Sequence, residues 1–202
     1  MSAGLLLSGG IDSSALAFWK CPAVCLTVDY GQLPAAAEVT AARSIAVKIG
    51  ANHEVLRIDC SSIGSGDLTM KPASALSHTP EWWPFRNQLL VTLCAMRAIE
   101  LGVKELLLGT VSTDSVHGDG TEKFITNLDR TLSCQEGGLH VSAPALRLNS
   151  LQLIAAAGIP PEVLAGTHSC HTGNMACGRC RGCQRRFATL QAIGLESSTA
   201  AH

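Results

Sequence analysis

Two groups of residues in this 202-residue chain have types and spacings that could do chemistry. The first is Ser8-Gly9-Gly10-Ile11-Asp12-Ser13, which directly follows the apolar Leu5-Leu6-Leu7. A strand running into such a loop and out into a helix presents several backbone N–H groups and two hydroxyls at a positive helix end, which makes an anion site. Gly9 and Gly10 would let the backbone approach phosphate oxygens, and Ser8, Ser13 and Ser14 can donate hydrogen bonds. No Lys follows the glycines, so the loop lacks the Walker pattern. Asp12 would repel phosphate unless a divalent cation lay between them, which is how Mg2+ is usually held. The plainer reading is a glycine turn with Ser or Asp capping the next helix.

The second group is Cys170, Cys177, Cys180 and Cys183, separated by six, two and two residues. That spacing fits a tetrahedral tetrathiolate Zn2+, with Gly173, Gly178 and Gly182 permitting tight turns. An iron–sulfur cluster is the alternative, since a C-x2-C-x2-C run also occurs in bacterial ferredoxins, there with the fourth Cys downstream. Four thiolates leave no open position for an activated water, so the metal reads as structural, with His168 and His171 as neighbours of the ligands. Arg179, Arg181, Arg185 and Arg186 crowd the same segment and read mostly as charge compensation. Arg186 is the exception, expected to reach a phosphate or carboxylate. The remaining five of the nine cysteines, Cys21, Cys25, Cys60, Cys94 and Cys134, read as small buried hydrophobes.

The elements that must position these groups alternate along the chain. Strands are expected at Gly4–Leu7, Ala23–Val28, His53–Ile58, Val103–Leu108 and Leu139–Ala143. Helices are expected at Ser14–Lys20, about Pro34–Ile49, Asn87–Leu101, around Phe124, Leu128 and Leu132, at Leu151–Ala157 and at Pro161–Leu164. Apolar runs alternating with helical periodicity predict an α/β protein, a parallel sheet covered on both faces. Residues 60–85, with two Gly and three Pro, read as a long irregular connection of functional or mobile kind. Asp29 ends the second strand, where open parallel sheets bind ligands. A capped turn is its simpler explanation.

Composition narrows the classes. Hydrophobic residues make up 47% and charged residues 15%, against roughly 25% charged in an average soluble protein. One compact core is expected, with part of the surface covered by a second copy in a homodimer. A net charge of -1 and 4% aromatics give neither an electrostatic nor a stacking basis for nucleic-acid binding. No stretch reaches the roughly 18 uninterrupted apolar residues of a membrane span. With no basic region before Leu5–Leu7 to make a secretory signal, the chain reads as cytoplasmic; thiols stay reduced there, so metal binding and buried thiols explain the cysteines, and their odd count argues against complete disulfide pairing.

The SGGIDS loop after a first strand resembles the signature of PP-loop ATP pyrophosphatases, which use ATP to adenylate a substrate oxygen and release pyrophosphate. Asp29-Tyr30-Gly31-Gln32, Pro84-Phe85-Arg86-Asn87, Gly109 and the cysteine cluster with its trailing Arg186 extend the likeness. The set resembles the 7-cyano-7-deazaguanine synthase family of the queuosine pathway, from about Leu5 to Leu195. The resemblance implies a Rossmann-like, doubly wound sheet of the adenine-nucleotide alpha hydrolase type. It divides the chain into an ATP-binding part at 1–165, a zinc-binding segment at 166–195 packed on it, and a loose tail at 196–202. It implies ATP, Mg2+ and Zn2+, with Ser8, Gly9, Gly10, Asp12, Ser13 and Asp29 around the nucleotide, and Asp12 and Ser13 catalytic.

Family members adenylate the carboxylate of 7-carboxy-7-deazaguanine, displace AMP with ammonia to give the amide, and then form the nitrile. Arg86 would pair with a carboxylate or phosphate, Asn87 would read a purine edge, and Asp114 and Asp119 would accept from the N–H edge of a guanine. The chain departs from the family at Asp114-Ser115-Val116-His117-Gly118-Asp119-Gly120-Thr121, at Asn149-Ser150 and at Leu33-Pro34. Two alternatives follow. One is a paralogue from an anti-phage system that passes the activated acid to an amine of a protein partner. The other is a nucleotide-binding module without turnover.

Overall fold

The computed structural model describes residues 2–77 and 79–195, so the expected tail at 196–202 lies outside the described residues. Five strands, β1 (Ala3–Leu6), β2 (Val24–Asp29), β3 (Asn52–Arg57), β4 (Glu105–Leu108) and β5 (His140–Ser142), form one sheet in the order β3-β2-β1-β4-β5. All four pairings are parallel. β1 lies in the middle, and the connections run outward from it in both directions.

The two-residue period of the strands explains why both faces are covered. Leu5, Leu7, Cys25 and Leu107 point to one side, into a core shared with α1 (Ile11–Lys20), α2 (Ala35–Ile49), α5 (Ser150–Ala157) and α6 (Pro161–Ala165). Val24, Leu26, Val28, Leu106 and Leu108 point to the other, against α3 (Arg86–Glu100) and α4 (Glu122–Ser133). Strands buried on both faces read as continuous apolar runs, as a parallel sheet requires. α2 turns Val39, Ala42 and Ala46 into the core, with Ile49 partly buried on the same face. Gly50 closes that helix at φ 69°, a left-handed conformation that glycine adopts without steric cost.

Each expected strand is present, its ends shifted by up to two residues. α1 starts at Ile11, three residues before the expected Ser14, because its first turn is made from the second half of SGGIDS. A further helix, α7 (Arg181–Ala192), was not expected. Its Leu190 enters the same core as α1 and α5.

The connection at 60–85 has two 3-10 turns, at Ser61–Ile63 and Gly66–Leu68. It is pinned to the body by Leu33 N–H donating to Leu68 O at 2.9 Å and by buried Trp83, edge-on to Tyr30 at 5.1 Å. Cys25, Cys60 and Cys94 are buried as expected, but Cys21 and Cys134 are exposed. Both follow the last turn of a helix, α1 and α4, where the chain leaves the core side.

Candidate active site and cysteine metal centre

The carboxyl ends of β1, β2 and β4 open onto a cavity of about 330 Å3, where doubly wound sheets place ligands because the chain departs in opposite directions from neighbouring strands. Its floor is the SGGIDS loop. Gly10 is the N-cap of α1 and supplies no side-chain cap, so the first amides of the helix remain available to an anion. Ser8 and Ser13 hydroxyls lie 3.0 Å apart beside them, and Ser13 Oγ donates to Gly10 O at 3.2 Å.

The two glycines have different jobs. At φ 78°, Gly9 abuts α2, and a Cβ there would lie 2.6 Å from Glu38 O. It therefore lets the helix close on the loop and is not among the cavity-lining residues. A Cβ on Gly10 would meet nothing nearer than 3.6 Å.

Asp12 sits in the first turn of α1. Burial pushes its carboxyl above the usual range, with repulsion from Asp114 adding to the push and the Ser150 hydroxyl and Arg185 opposing it. Arg185 of α7 reaches both acids, donating to Asp114 Oδ1 at 3.0 Å and Asp12 Oδ2 at 3.4 Å. Asp114 Oδ2 also accepts from Val111 N–H at 3.0 Å. Arg86 and Asn87, at the start of α3, and Asp119 line the cavity too. Asp29 does not line it: its carboxylate accepts from Gly31 N–H at 3.4 Å and faces Arg57 at 3.9 Å. The turn reading describes its contacts.

On the β2 side, Tyr30 and Glu38 line the cavity. Gln32 is fixed by accepting from Tyr30 N–H at 2.8 Å, which leaves its Nε2 to donate to Val28 O and, at 2.7 Å, to Glu38 Oε2. Burial pushes the Glu38 carboxyl up to about 7. An acid in the first turn of a helix reads from sequence as solvated charge. Its neighbours Ala35-Ala36-Ala37 and Val39 were the available signal that this turn packs closely.

Arg186 lines the cavity as well. Its guanidinium donates to Thr167 O at 3.1 Å and Ala165 O at 2.7 Å, securing the end of α6. Arg185 and Arg181, in the same segment, pair with carboxylates. The latter pairs with buried Glu81 at 2.7 Å, beside His117. They were read as solvation around the cysteines because nothing in sequence shows that α7 turns one face to the cavity.

The Sγ atoms of Cys170, Cys177, Cys180 and Cys183 all lie within 4.8 Å of one another. Tetrahedral zinc with Zn–S bonds of ~2.3 Å puts sulfurs ~3.8 Å apart, and Cys177 and Cys183 are at 3.9 Å. The donor set therefore fits the ion. Backbone amides aim at the same sulfurs: Cys180 N–H at Cys177 Sγ, and His171 and Cys183 N–H at Cys180 Sγ, all at 3.3–3.4 Å. The Thr172 hydroxyl, followed by the amides of Arg179 and Cys180, pulls the Cys177 thiol down to about 6. His168 bonds Gly173 O at 3.0 Å, outside the sulfur cluster.

The family profile described as "Queuosine biosynthesis protein QueC" matches residues 2–194. The chain is 31% identical to the 7-cyano-7-deazaguanine synthase of Desulforudis audaxviator, covering 94% of this chain and 96% of that one. It is 32% identical to those of Thiobacillus denitrificans and Azotobacter vinelandii, each with 96% of both chains covered. Among the described residues no helix is long and apolar enough to cross a membrane. With a parallel sheet carrying SGGIDS at its switch point, a four-cysteine centre beside it and a match along nearly its whole length, this chain belongs to the QueC family of queuosine biosynthesis proteins.

Proposed function

We propose that the protein is an ATP-dependent carbon–nitrogen ligase that activates the carboxylate of 7-carboxy-7-deazaguanine as an adenylate and delivers it to ammonia. The observation that carries this reading is the uncapped start of α1 on the floor of a cavity whose walls include Arg86, Asn87, Asp114 and Asp119. A carboxylate is a poor electrophile because it would have to expel oxide, whereas an acyl adenylate expels AMP. The α1 amides, with Ser8 and Ser13, would hold the departing pyrophosphate by donors already oriented before reaction. Arg86 would pair with the acid, and Asn87 and Asp119 would address the base. Ammonia attack on the adenylate gives the amide and AMP; a second adenylation, on the amide oxygen, lets AMP leave again to give the nitrile.

Asp12, with an Oδ1 sealed from solvent and without a hydrogen bond of normal geometry, fits an Mg2+ ion that would offset triphosphate charge. The cysteine centre would hold Zn2+ as a structural ion, keeping the 166–195 segment folded on the 1–165 part. The working unit is a cytoplasmic homodimer in this reading.

Incubation with ATP, Mg2+, 7-carboxy-7-deazaguanine and ammonium, followed by mass spectrometry, tests it. Nitrile, AMP and pyrophosphate are the expected products. A deazaguanine mass on a co-expressed polypeptide would assign the acceptor to a protein amine instead. ATP bound without pyrophosphate release would reduce the protein to a binding module.

A further inference from the structure

Three observations meet at Arg185. First, its guanidinium is held between two carboxylates from different loops, Asp12 of SGGIDS and Asp114 after β4, with Thr113 Oγ1 accepting a third bond at 3.0 Å. Second, the pair is under-compensated. Asp12 Oδ1 is sealed from solvent without a well-formed hydrogen bond, and the Ser150 hydroxyl is close by. Third, the uncapped α1 amides open onto the same cavity, and Arg185 retains room to move, its side chain being 38% exposed.

The donors around the guanidinium are carboxylate and hydroxyl oxygens: Asp12, Asp114, Thr113 and Ser150. An oxygen-only set suits a hard divalent cation such as Mg2+ or Mn2+, in contrast to the sulfur centre at the start of α7. A guanidinium brings one positive charge to two acids, whereas a divalent ion brings two and uses the oxygen left without a partner. The two cations cannot occupy the gap together. Whichever is displaced must find an anion, and the α1 amides are where one would bind.

We propose that Arg185 is the resident counter-ion of a divalent-cation site formed by Asp12 and Asp114, released toward the anion at the α1 amides when the cation takes both carboxylates. The residue then has two partners in succession, an acid pair in the empty cavity and a phosphate oxygen in the loaded one. Only the second stage rests on the nucleotide reading above. The cation exchange stands without it.

The first arm of the test is therefore Mn2+ alone, titrated by electron paramagnetic resonance into the zinc-loaded protein without nucleotide. Removing the competing charge in Arg185→Gln should tighten Mn2+ binding about tenfold, and adding Asp114→Asn to that variant should erase the gain. Arg185→Gln should also weaken binding of ATP in the presence of saturating Mn2+, an effect of opposite sign from one substitution. A purely structural ion pair would not produce that inversion.

Equal Mn2+ affinity in wild type and Arg185→Gln, or a gain that survives Asp114→Asn, would overturn the proposal. The wild-type protein supplies a check that needs no variant. Mn2+ should increase phenylglyoxal modification of Arg185 relative to Arg186, and an unchanged ratio would refute the release. If Mn2+ tightening occurs but ATP binding is unaffected, the second stage fails and Arg185 is not an anion group.

Discussion

The helices α1 and α7 both begin at the cavity, and they use their first turns in opposite ways. α1 starts at Gly10 without a side-chain cap and carries an acid, Asp12, in its first turn. α7 starts at Cys180, whose Sγ accepts from Cys183 N–H, and carries a base, Arg181. A helix start offers several donors and a partial positive charge. In α1 those donors are left for a ligand, with an acid placed among them that calls for a cation. In α7 they are committed to sulfurs, whose negative charge both the helix end and a metal would stabilise. Free amides make a binding site, and capped amides make an anchor for the arginines that complete it.

The severest way to break this contrast is at the anchor. Cys180→Ser removes one metal ligand and weakens the cap of α7 together. It should abolish stoichiometric metal and cost more than ~3 kcal/mol, read by elemental analysis and thermal melting. Stoichiometric metal at unchanged melting temperature would refute the assigned ligand set.

At the free end, Asp12→Asn should lower pyrophosphate release by ~100-fold or more while leaving zinc content intact, which separates the two helix starts experimentally. Gly9→Ala should destabilise by ~2–4 kcal/mol, since a left-handed φ and a clash with α2 coincide there. A neutral result would mean that α2 can yield without opening the loop.

The smallest effect concerns Glu38, which sharpens the picture of the β2 wall. Burial raises its pKa in the folded protein to about 7, above the ordinary 4.5 of a glutamate. The protonated form is thus favoured by folding, and the associated stability is complete below ~4.5 and lost as pH rises toward 7. Glu38→Gln should flatten that part of the stability-versus-pH curve. The wild-type slope should span at most ~3 kcal/mol, measured by urea denaturation across the window.

The sheet was largely legible because strands buried on both faces leave apolar runs that turn residues cut apart. Helix α7 was not, because RGCQRRFATLQA is mostly polar and its start is set by a sulfur cap. The binding loop and the cysteine centre each occupy a short contiguous stretch with its chemistry visible in spelling. Glu38, Arg181 and Arg185 are charges that gain meaning only from what stands opposite them in space. Asp29 shows the converse, a well-placed acid at a strand end whose contacts are those of the local turn, while Tyr30 and Glu38 line the cavity. Cys21 and Cys134 were assigned to the interior from residue type, and helix ends brought them out.

The ion pair between Asp12 and Arg185 joins positions 173 residues apart. During synthesis, β1 must wait for β4 before its second edge is covered, and the cavity wall on α7 follows later still. A nascent chain would therefore display the SGGIDS loop long before it could close a cavity around it. Such non-local pairing slows folding and prolongs exposure of unpaired strand edges. Nucleotide capture becomes a late event of maturation, available as a readout of whether the whole chain has assembled.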